Sequence, residues 1–249
     1  MNENKDIKNT EEKKQSSKYL SYIYSENRVP KTSYPIKFAK FITLNSFGNI
    51  KGRLIDVGCG RGDMLRAFKE MGHEVSGVDL SLEAIKLCEP IPVEQIDLEN
   101  TDLDFEANQC DYVFSKSVIE HLKNPLEFMK SCKKILKPSG KMVVLTPSWF
   151  HQSWGPFYQD FTHIRPFTQS SLRDLIILAG FKSVKIKYFY QLPVLWKYPI
   201  LKPFIKLVNL LPIPYLPMYD GMMPFKWPNE INKFIRFSKE VMIYAECEK

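Results

Sequence analysis

The chain has 249 residues, enough for one substantial core or one core with an appendage. Its 44% apolar and 25% charged content is that of an ordinary globular protein and excludes low-complexity and fibrous classes. The net charge of +7 is uneven: residues 182–249 hold eleven Lys/Arg against five Asp/Glu, which implies an anionic partner or surface there, or a solvated basic face. The five cysteines (Cys59, Cys88, Cys110, Cys132, Cys247) are odd in number, widely spaced and without a C-x-x-C pair. That pattern argues against a disulfide framework, a zinc site or an iron–sulfur site, and no metal is expected. Reduced thiols in a cytosol are the simple reading. No run of about 18 uncharged apolar residues exists, so no spanning helix is expected.

Residues 1–18 carry mixed charges and no apolar core, and read as a disordered tail rather than a signal peptide. Residues 19–35 show no clear period. Ile36–Phe47 has helical apolar spacing and precedes a first strand, Arg53–Val57. Three glycines at alternate positions follow: Gly58, Gly60 and Gly62. Without a Cβ they permit positive φ and close approach of a ligand, and the next helix, Asp63 to about Met71, offers free N–H groups. The dinucleotide spacing G-x-G-x-x-G is not met, because the third glycine comes one residue early. Asp56 and Asp63 flank the loop and would repel a pyrophosphate, but they favour a ligand bearing an ammonium and a sulfonium.

His73–Asp79 reads as a short second strand with an acid at its tip, placed to accept hydrogen bonds from ribose hydroxyls; the alternative is a cap for the helix Ser81–Cys88. Val93–Ile96 is a third strand leading to Asp97. Asp111–Ser115 is a fourth, followed by a helix from Pro125 to about Leu136, which Lys137-Pro138-Ser139-Gly140 stops. Met142–Leu145 is a fifth. This alternation predicts an α/β fold: a doubly wound, mostly parallel seven-stranded sheet that binds ligands at the carboxyl ends of its strands. Asp56, Asp79, Asp97 and Ser115 all fall on that edge.

Two segments carry a resemblance. D-x-G-x-G-x-G at 56–62, and D-Y-V-F-S-x-S-V-I-E-H-L-x-N-P at 111–125, resemble the class I S-adenosylmethionine (SAM)-dependent methyltransferases of small-molecule type. The resemblance implies a Rossmann-like methyltransferase fold and SAM as cofactor. It assigns cofactor contacts to Asp56, Gly58, Cys59, Gly60, Gly62, Asp79, Leu80, Asp97, Leu98 and Ser115, with Asp97 and Leu98 toward the adenine. The later pattern D-x-T-H-x-R-P-F-T at 160–168, followed by S-L and A-G-F, resembles a subset associated with bacterial surface-glycan and secondary biosynthesis.

Residues 147–167 form a long loop rich in aromatics and histidine, placed over the cofactor edge. Thr168 caps a helix to about Ala179, and Ser183–Tyr188 is a sixth strand. The seventh, Lys239–Cys247, arrives only after some fifty residues that hold eight of the 17 prolines. The expected organisation is a tail (1–18), a methyltransferase domain (19–188 plus 239–249) and an inserted basic cap (189–238). Within the cap, Leu201, Phe204, Ile205, Val208 and Leu211 share one helical face opposite Lys202, Lys206 and Asn209. Packing on the domain is one reading of this face; contact with a membrane or a lipid-linked substrate is the other.

Methyl transfer to a hydroxyl is helped by a general base. His163 is the first candidate because neutral imidazole suits pH 7, and His151 is the second. His121, Tyr158, Asp160 and Arg165 are candidate substrate contacts, while Glu120 reads as a brace of its turn. The expected acceptor is a hydroxyl of a sugar or glycan precursor. An RNA or protein acceptor, or a non-catalytic scaffold, is the alternative; no RNA-binding module is evident.

Overall fold

The computed structural model describes residues 30–99, 106–215 and 229–249; the expected tail at 1–18 lies outside them. Helix α1 (Tyr34–Asn45) starts with Pro35 in its first turn, where a missing N–H costs nothing. Then follow β1 (Arg53–Val57), α2 (Asp63–Glu70), β2 (Glu74–Asp79), α3 (Leu82–Cys88) and β3 (Val93–Gln95). After them come β4 (Cys110–Lys116), a 3-10 turn at Ile119–His121, α4 (Pro125–Ile135) and β5 (Leu136–Pro147). The rest comprises α5 (Trp149–Gln152), a 3-10 turn at Pro156–Gln159, α6 (Gln169–Leu178), β6 (Lys182–Phe189), α7 (Pro193–Lys197), a 3-10 turn at Pro199–Leu201, α8 (Lys202–Leu210), α9 (Asn229–Lys239) and β7 (Met242–Glu248).

The strands form one seven-stranded sheet in the order β3-β2-β1-β4-β5-β7-β6. The first five run parallel, and β7 inserts antiparallel between β5 and β6. Parallel strands are covered on both faces, so their residues are apolar without alternation. Leu54, Tyr112, Phe114 and Val143 pack against α1 and α2 on one face. Ile55, Val113, Met142 and Val144 pack against α4 and α6 on the other. The interleaving of 54 with 55 and 113 with 114 is the two-residue period of a strand.

Some boundaries differ from the sequence reading. Lys137–Gly140 does end α4, but the chain enters β5 at once: Leu136 pairs with Cys110, and the register shifts before Lys141 meets Tyr112. Ser139 absorbs the irregularity at φ 62°. Lys239 ends α9 and is not part of the last strand. The segment between β6 and β7 holds α7, α8 and α9, and its apolar side chains Tyr190 and Leu192, ahead of α7, gather with Leu195, Ile205 and Val241 in a third cluster. The face of α8 is rotated from expectation. Ile205 and Val208 are buried, and Asn209 donates to the Ser238 carbonyl of α9, whereas Leu201 and Phe204 are exposed. Among the described residues no helix is long and apolar enough to cross a membrane. All five cysteines are free and buried.

Candidate active site

Beyond Val57 the chain turns through Gly58, Gly60 and Gly62, all at positive φ. The N–H groups of Gly58 and Cys59 donate to Val78 O at 2.8 and 3.1 Å, which ties the loop to the end of β2. Two of these glycines are also sterically required. A Cβ on Gly58 would lie 2.2 Å from Val118 Cγ2, and one on Gly62 would lie 2.5 Å from Cys88 Sγ. Gly62 caps α2 in the left-handed conformation, which only glycine adopts freely. The Cys59 thiol turns inward against Gly77, so this residue offers the loop its backbone rather than its sulfur.

Asp79 is the pivot of this edge. Its Oδ2 accepts from Gly60 N at 2.8 Å and its Oδ1 from Ser81 N at 2.9 Å. With the Leu80 N–H also directed at it, the carboxylate keeps about one of its four lone-pair sites to accept from a hydroxyl. Ser81, not Asp79, caps α3 by accepting from Glu83 N. Burial raises the Asp79 carboxyl above the usual carboxylate range, against the opposing N–H donors of Ser81, Gly60 and Leu80. Asp56, at 2% exposure, is raised well above that range by burial, with the negative charges of Cys88 and Asp79 adding to it and Lys116 opposing. A cationic ligand beside this pair supplies the counter-charge that burial removes. Positive-φ turns with open N–H groups and two acids short of cation therefore fit an ammonium- and ribose-bearing ligand.

Farther along the edge, Asp97 lies two residues beyond β3, half-buried, and its Oδ1 accepts from Glu99 N at 2.9 Å. Leu98 packs on the α4-side core, and the Leu80 carbonyl accepts from Gln95 Nε2. Ser115 differs from expectation. It is fully buried and its hydroxyl donates to Val57 O at 2.9 Å, so it links β4 to β1.

A second constellation lies past the end of β4. Ser117 takes φ 57°, and its N–H donates to Leu145 O. Val118 then leans on Gly58, and the 3-10 turn presents Glu120 and His121. Glu120 is fully buried; its Oε2 accepts from Thr146 Oγ1 at 3.0 Å, while Oε1 has no hydrogen-bond partner among the described residues. The Glu120 carbonyl accepts from both Ile164 N and Arg165 N, which straps the long loop onto this turn. That brings His163 Nε2 to 3.9 Å from Glu120 Oε1, and the His163 ring to 4.7 Å from that of His121.

Both imidazole tautomers follow from the network. Phe157 O can only accept, so His163 Nδ1, 2.7 Å away, carries the proton. Thr162 Oγ1 donates to Asp160 Oδ1 at 2.5 Å, so it accepts from His121 Nδ1 at 2.9 Å. Each Nε2 is thus left with a lone pair. Ligand atoms of Glu120, His121 and His163 lie within 4.8 Å of one another. Burial pushes Glu120 up to about 7. Burial, then the neighbouring His163, pulls His121 down to about 4, and burial lowers His163.

Other expected residues fall elsewhere. His151 is apart from this cluster: its Nδ1 meets Ser148 Oγ at 2.9 Å and its ring packs on Tyr188. Tyr158 is exposed, with its ring against Trp149 and Phe157. Arg165 reaches the Lys123 carbonyl rather than Asp160. The sequence reading missed the joining of Glu120 to His163 across 43 residues, and the orienting role of Thr162. The T-H pair inside D-x-T-H was the one available signal.

A family model described as "Methyltransferase domain" matches residues 31–186. The chain is 33% identical over 121 residues to a ubiquinone biosynthesis O-methyltransferase of Idiomarina loihiensis, covering 46% of this chain and 50% of that one. It is 31% identical over 170 residues to the protein of that name from Cereibacter sphaeroides, covering 59% and 67%. The chain thus spans about half to two thirds of the length of these relatives. Among solved structures, a SAM-dependent methyltransferase from Archaeoglobus fulgidus superimposes with a TM-score of 0.61 at 22% identity, over 92% of this chain and 99% of that one. Phosphoethanolamine N-methyltransferase 2 of Haemonchus contortus gives 0.61 at 19% identity, over 93% and 56%. These likenesses are of fold.

Proposed function

Because this chain belongs to the methyltransferase-domain family, and is with that fold a SAM-dependent methyltransferase, we propose that its acceptor is a hydroxyl oxygen of a small molecule. One observation carries the reading. The glycine loop and the Glu120–His121–His163 cluster meet at the contact of Val118 on Gly58, so the turn that bears the cluster lies directly against the cofactor loop.

SAM supplies a methyl group on a cationic sulfur. Asp79 would accept from a ribose hydroxyl, Asp56 and the loop N–H groups would hold the amino-acid end, and Asp97 with Leu98 would meet the adenine. The acceptor lies toward His121, Asp160 and His163, with Tyr158 and Arg165 at the outer rim. When bound, the cofactor would supply its methyl group to the acceptor oxygen, the carbon–sulfur electron pair remaining on sulfur. The hydroxyl proton leaves toward the cluster, where His163 Nε2 carries an open lone pair. His151 holds the loop to Ser148 and β6. The insertion at 189–238 serves as a cap, a reading supported by the meeting of Trp154 and Tyr215 at 6.0 Å.

The name of the relatives, O-methyltransferases of ubiquinone biosynthesis, supports an oxygen acceptor, and the D-x-T-H-x-R-P-F-T loop supports a sugar hydroxyl; both share the chemistry of an uncharged O–H. Thermal unfolding with S-adenosylhomocysteine, against NADH and no ligand, tests the cofactor. At about 100 times its Kd the ligand adds roughly 2.7 kcal/mol, and the Asp79→Ala variant loses most of that gain. A shift with NADH alone, or none with S-adenosylhomocysteine, overturns the reading. Transfer of a labelled methyl group to panels of phenols and of sugars then separates the two acceptor sources.

A further inference from the structure

We propose that the outer face of α8, with the 3-10 turn before it, docks on the surface of an anionic lipid bilayer. Helix α8 has two apolar faces, and one of them is spent. Ile205 and Val208 are buried, Asn209 donates to the Ser238 carbonyl, and Lys239 Nζ donates to the carbonyls of Asn209 and Leu211, so α8 is pinned to α9. The other face is open. Ile200, Phe204, Leu207 and Leu211 follow one another at intervals of four, three and four, which is the spacing of one helical stripe, and Leu210 borders it. Ile200 and Leu210 are 85% and 80% exposed, and Phe204 and Leu207 are 59% and 55% exposed. A surface helix of a globular protein carries one apolar stripe toward the core and a polar face opposite. A second, contiguous stripe turned to solvent marks an interaction surface.

Charge selects the occupant. Residues 175–215 hold six lysines and neither Asp nor Glu. Lys202 and Lys206, both exposed, flank the stripe one turn apart. Like charges at that spacing repel in an isolated helix, and an anionic surface opposite them turns the repulsion into attraction. The positive field reaches the sheet edge beside α8. Burial holds the Lys187 ammonium of β6 below its ordinary range, Glu246 opposes this, and the charges of Lys202 and Lys185 add to it. Lys185 lies 3.6 Å from Glu246 and so contributes less. A protein partner is the poorer match, because lysine is depleted at protein interfaces. Exposed Tyr198, with Lys197 Nζ 5.1 Å from its ring centre, adds an aromatic of the kind that settles at headgroup depth. An apolar stripe, a basic flank and a length too short to span are the features of a helix lying in the bilayer interface. The stripe lies beyond residues 31–186, the part shared with the methyltransferase-domain family, so docking stands or falls without the methyl-transfer reading.

The test is co-sedimentation of the full-length protein with vesicles of equimolar phosphatidylglycerol and phosphatidylcholine, and with vesicles of phosphatidylcholine alone. The expected result is partition onto the anionic vesicles that weakens as salt is raised. Lys202→Gln with Lys206→Gln lowers that partition about 30-fold and leaves partition onto the neutral vesicles unchanged. Phe204→Ser with Leu207→Ser lowers partition onto the anionic vesicles at least about 10-fold. All four side chains are exposed, so the urea midpoints of both double variants stay near that of wild type. No partition onto anionic vesicles at low salt overturns the proposal, as does partition that salt leaves unmoved or that either double variant retains in full. A urea midpoint lowered by the two serines shows that the chain covers this face itself, and a wild-type dimer that the two serines dissociate shows that a second copy covers it. Either of these results also overturns the proposal.

Discussion

At Gly58 the backbone stands at φ 81°, and an added methyl would fall 2.2 Å from Val118 Cγ2. Gly58→Ala therefore carries two separate penalties: about 1–2 kcal/mol for the left-handed conformation and about 1–3 kcal/mol for overpacking. Adding Val118→Ala relieves only the second, so urea unfolding of the double variant should recover part of the loss. Full recovery would show that backbone conformation contributes nothing. His73 gives a pH prediction. It is buried, with Nδ1 against the Gly52 carbonyl and Nε2 meeting Thr43 Oγ1. Burial holds its pKa below the ordinary 6.5, helped by Lys51 and opposed by the Gly52 carbonyl. The unfolded chain then takes up a proton that the native chain refuses. The contribution of His73 to stability should fall as pH drops below about 6.5 and level off once the native ring also protonates. The other three histidines are shifted the same way, while the raised carboxyls of Glu120, Asp56 and Asp79 act in the opposite sense, so His73→Gln should lower the slope of urea midpoint against pH without removing the pH dependence. Residues such as Asp79 were legible in the sequence because strand, turn and helix are contiguous there. The Ser115 link to Val57 was not, because only the sheet places 115 beside 57.

Among the elements, α7 anchors the segment between β6 and β7. Trp196 stacks on Phe189 at 5.3 Å and meets Tyr34, Phe38 and Phe41 at 5.7, 5.4 and 5.2 Å. Trp196→Ala should cost about 3 kcal/mol, the low end for a large aromatic because the ring is only partly buried, and a urea midpoint unchanged from wild type would refute this anchoring. Parallel strands β1 and β4 and helices α2, α4 and α6 were readable because their periods and breakers are local. The length of β5 was not, since pairing of Leu136 with Cys110 extends the strand through a proline and a serine that read as a stop. Helix α8 shows a further limit. Its apolar residues encircle too much of the helix for spacing alone to choose a face, and the buried side is chosen by α9, through Asn209 and Ser238.

Across the whole molecule, the strand order puts the ends of β1, β2 and β4 side by side, and with them nearly every acid expected to meet the cofactor. The acceptor side is assembled differently, from a turn after β4 and a loop after β5 joined by the Glu120 carbonyl. Only the three-dimensional path reveals that joining, which is why the sequence placed Glu120 as a brace and His163 as an isolated base. Val118 touches Gly58 from one side and leads into Glu120 on the other, so the two halves of the site share a mechanical joint. Two binding events that meet at one joint exchange free energy, and the exchange is reciprocal. Whatever factor the acceptor lends to the affinity for S-adenosylhomocysteine, S-adenosylhomocysteine must return to the acceptor. Titrating each in the presence of the other should give one and the same factor, and in Val118→Ala that factor should collapse toward unity while each ligand alone still binds. Occupancy of the donor side would then be read on the acceptor side before any methyl group has moved.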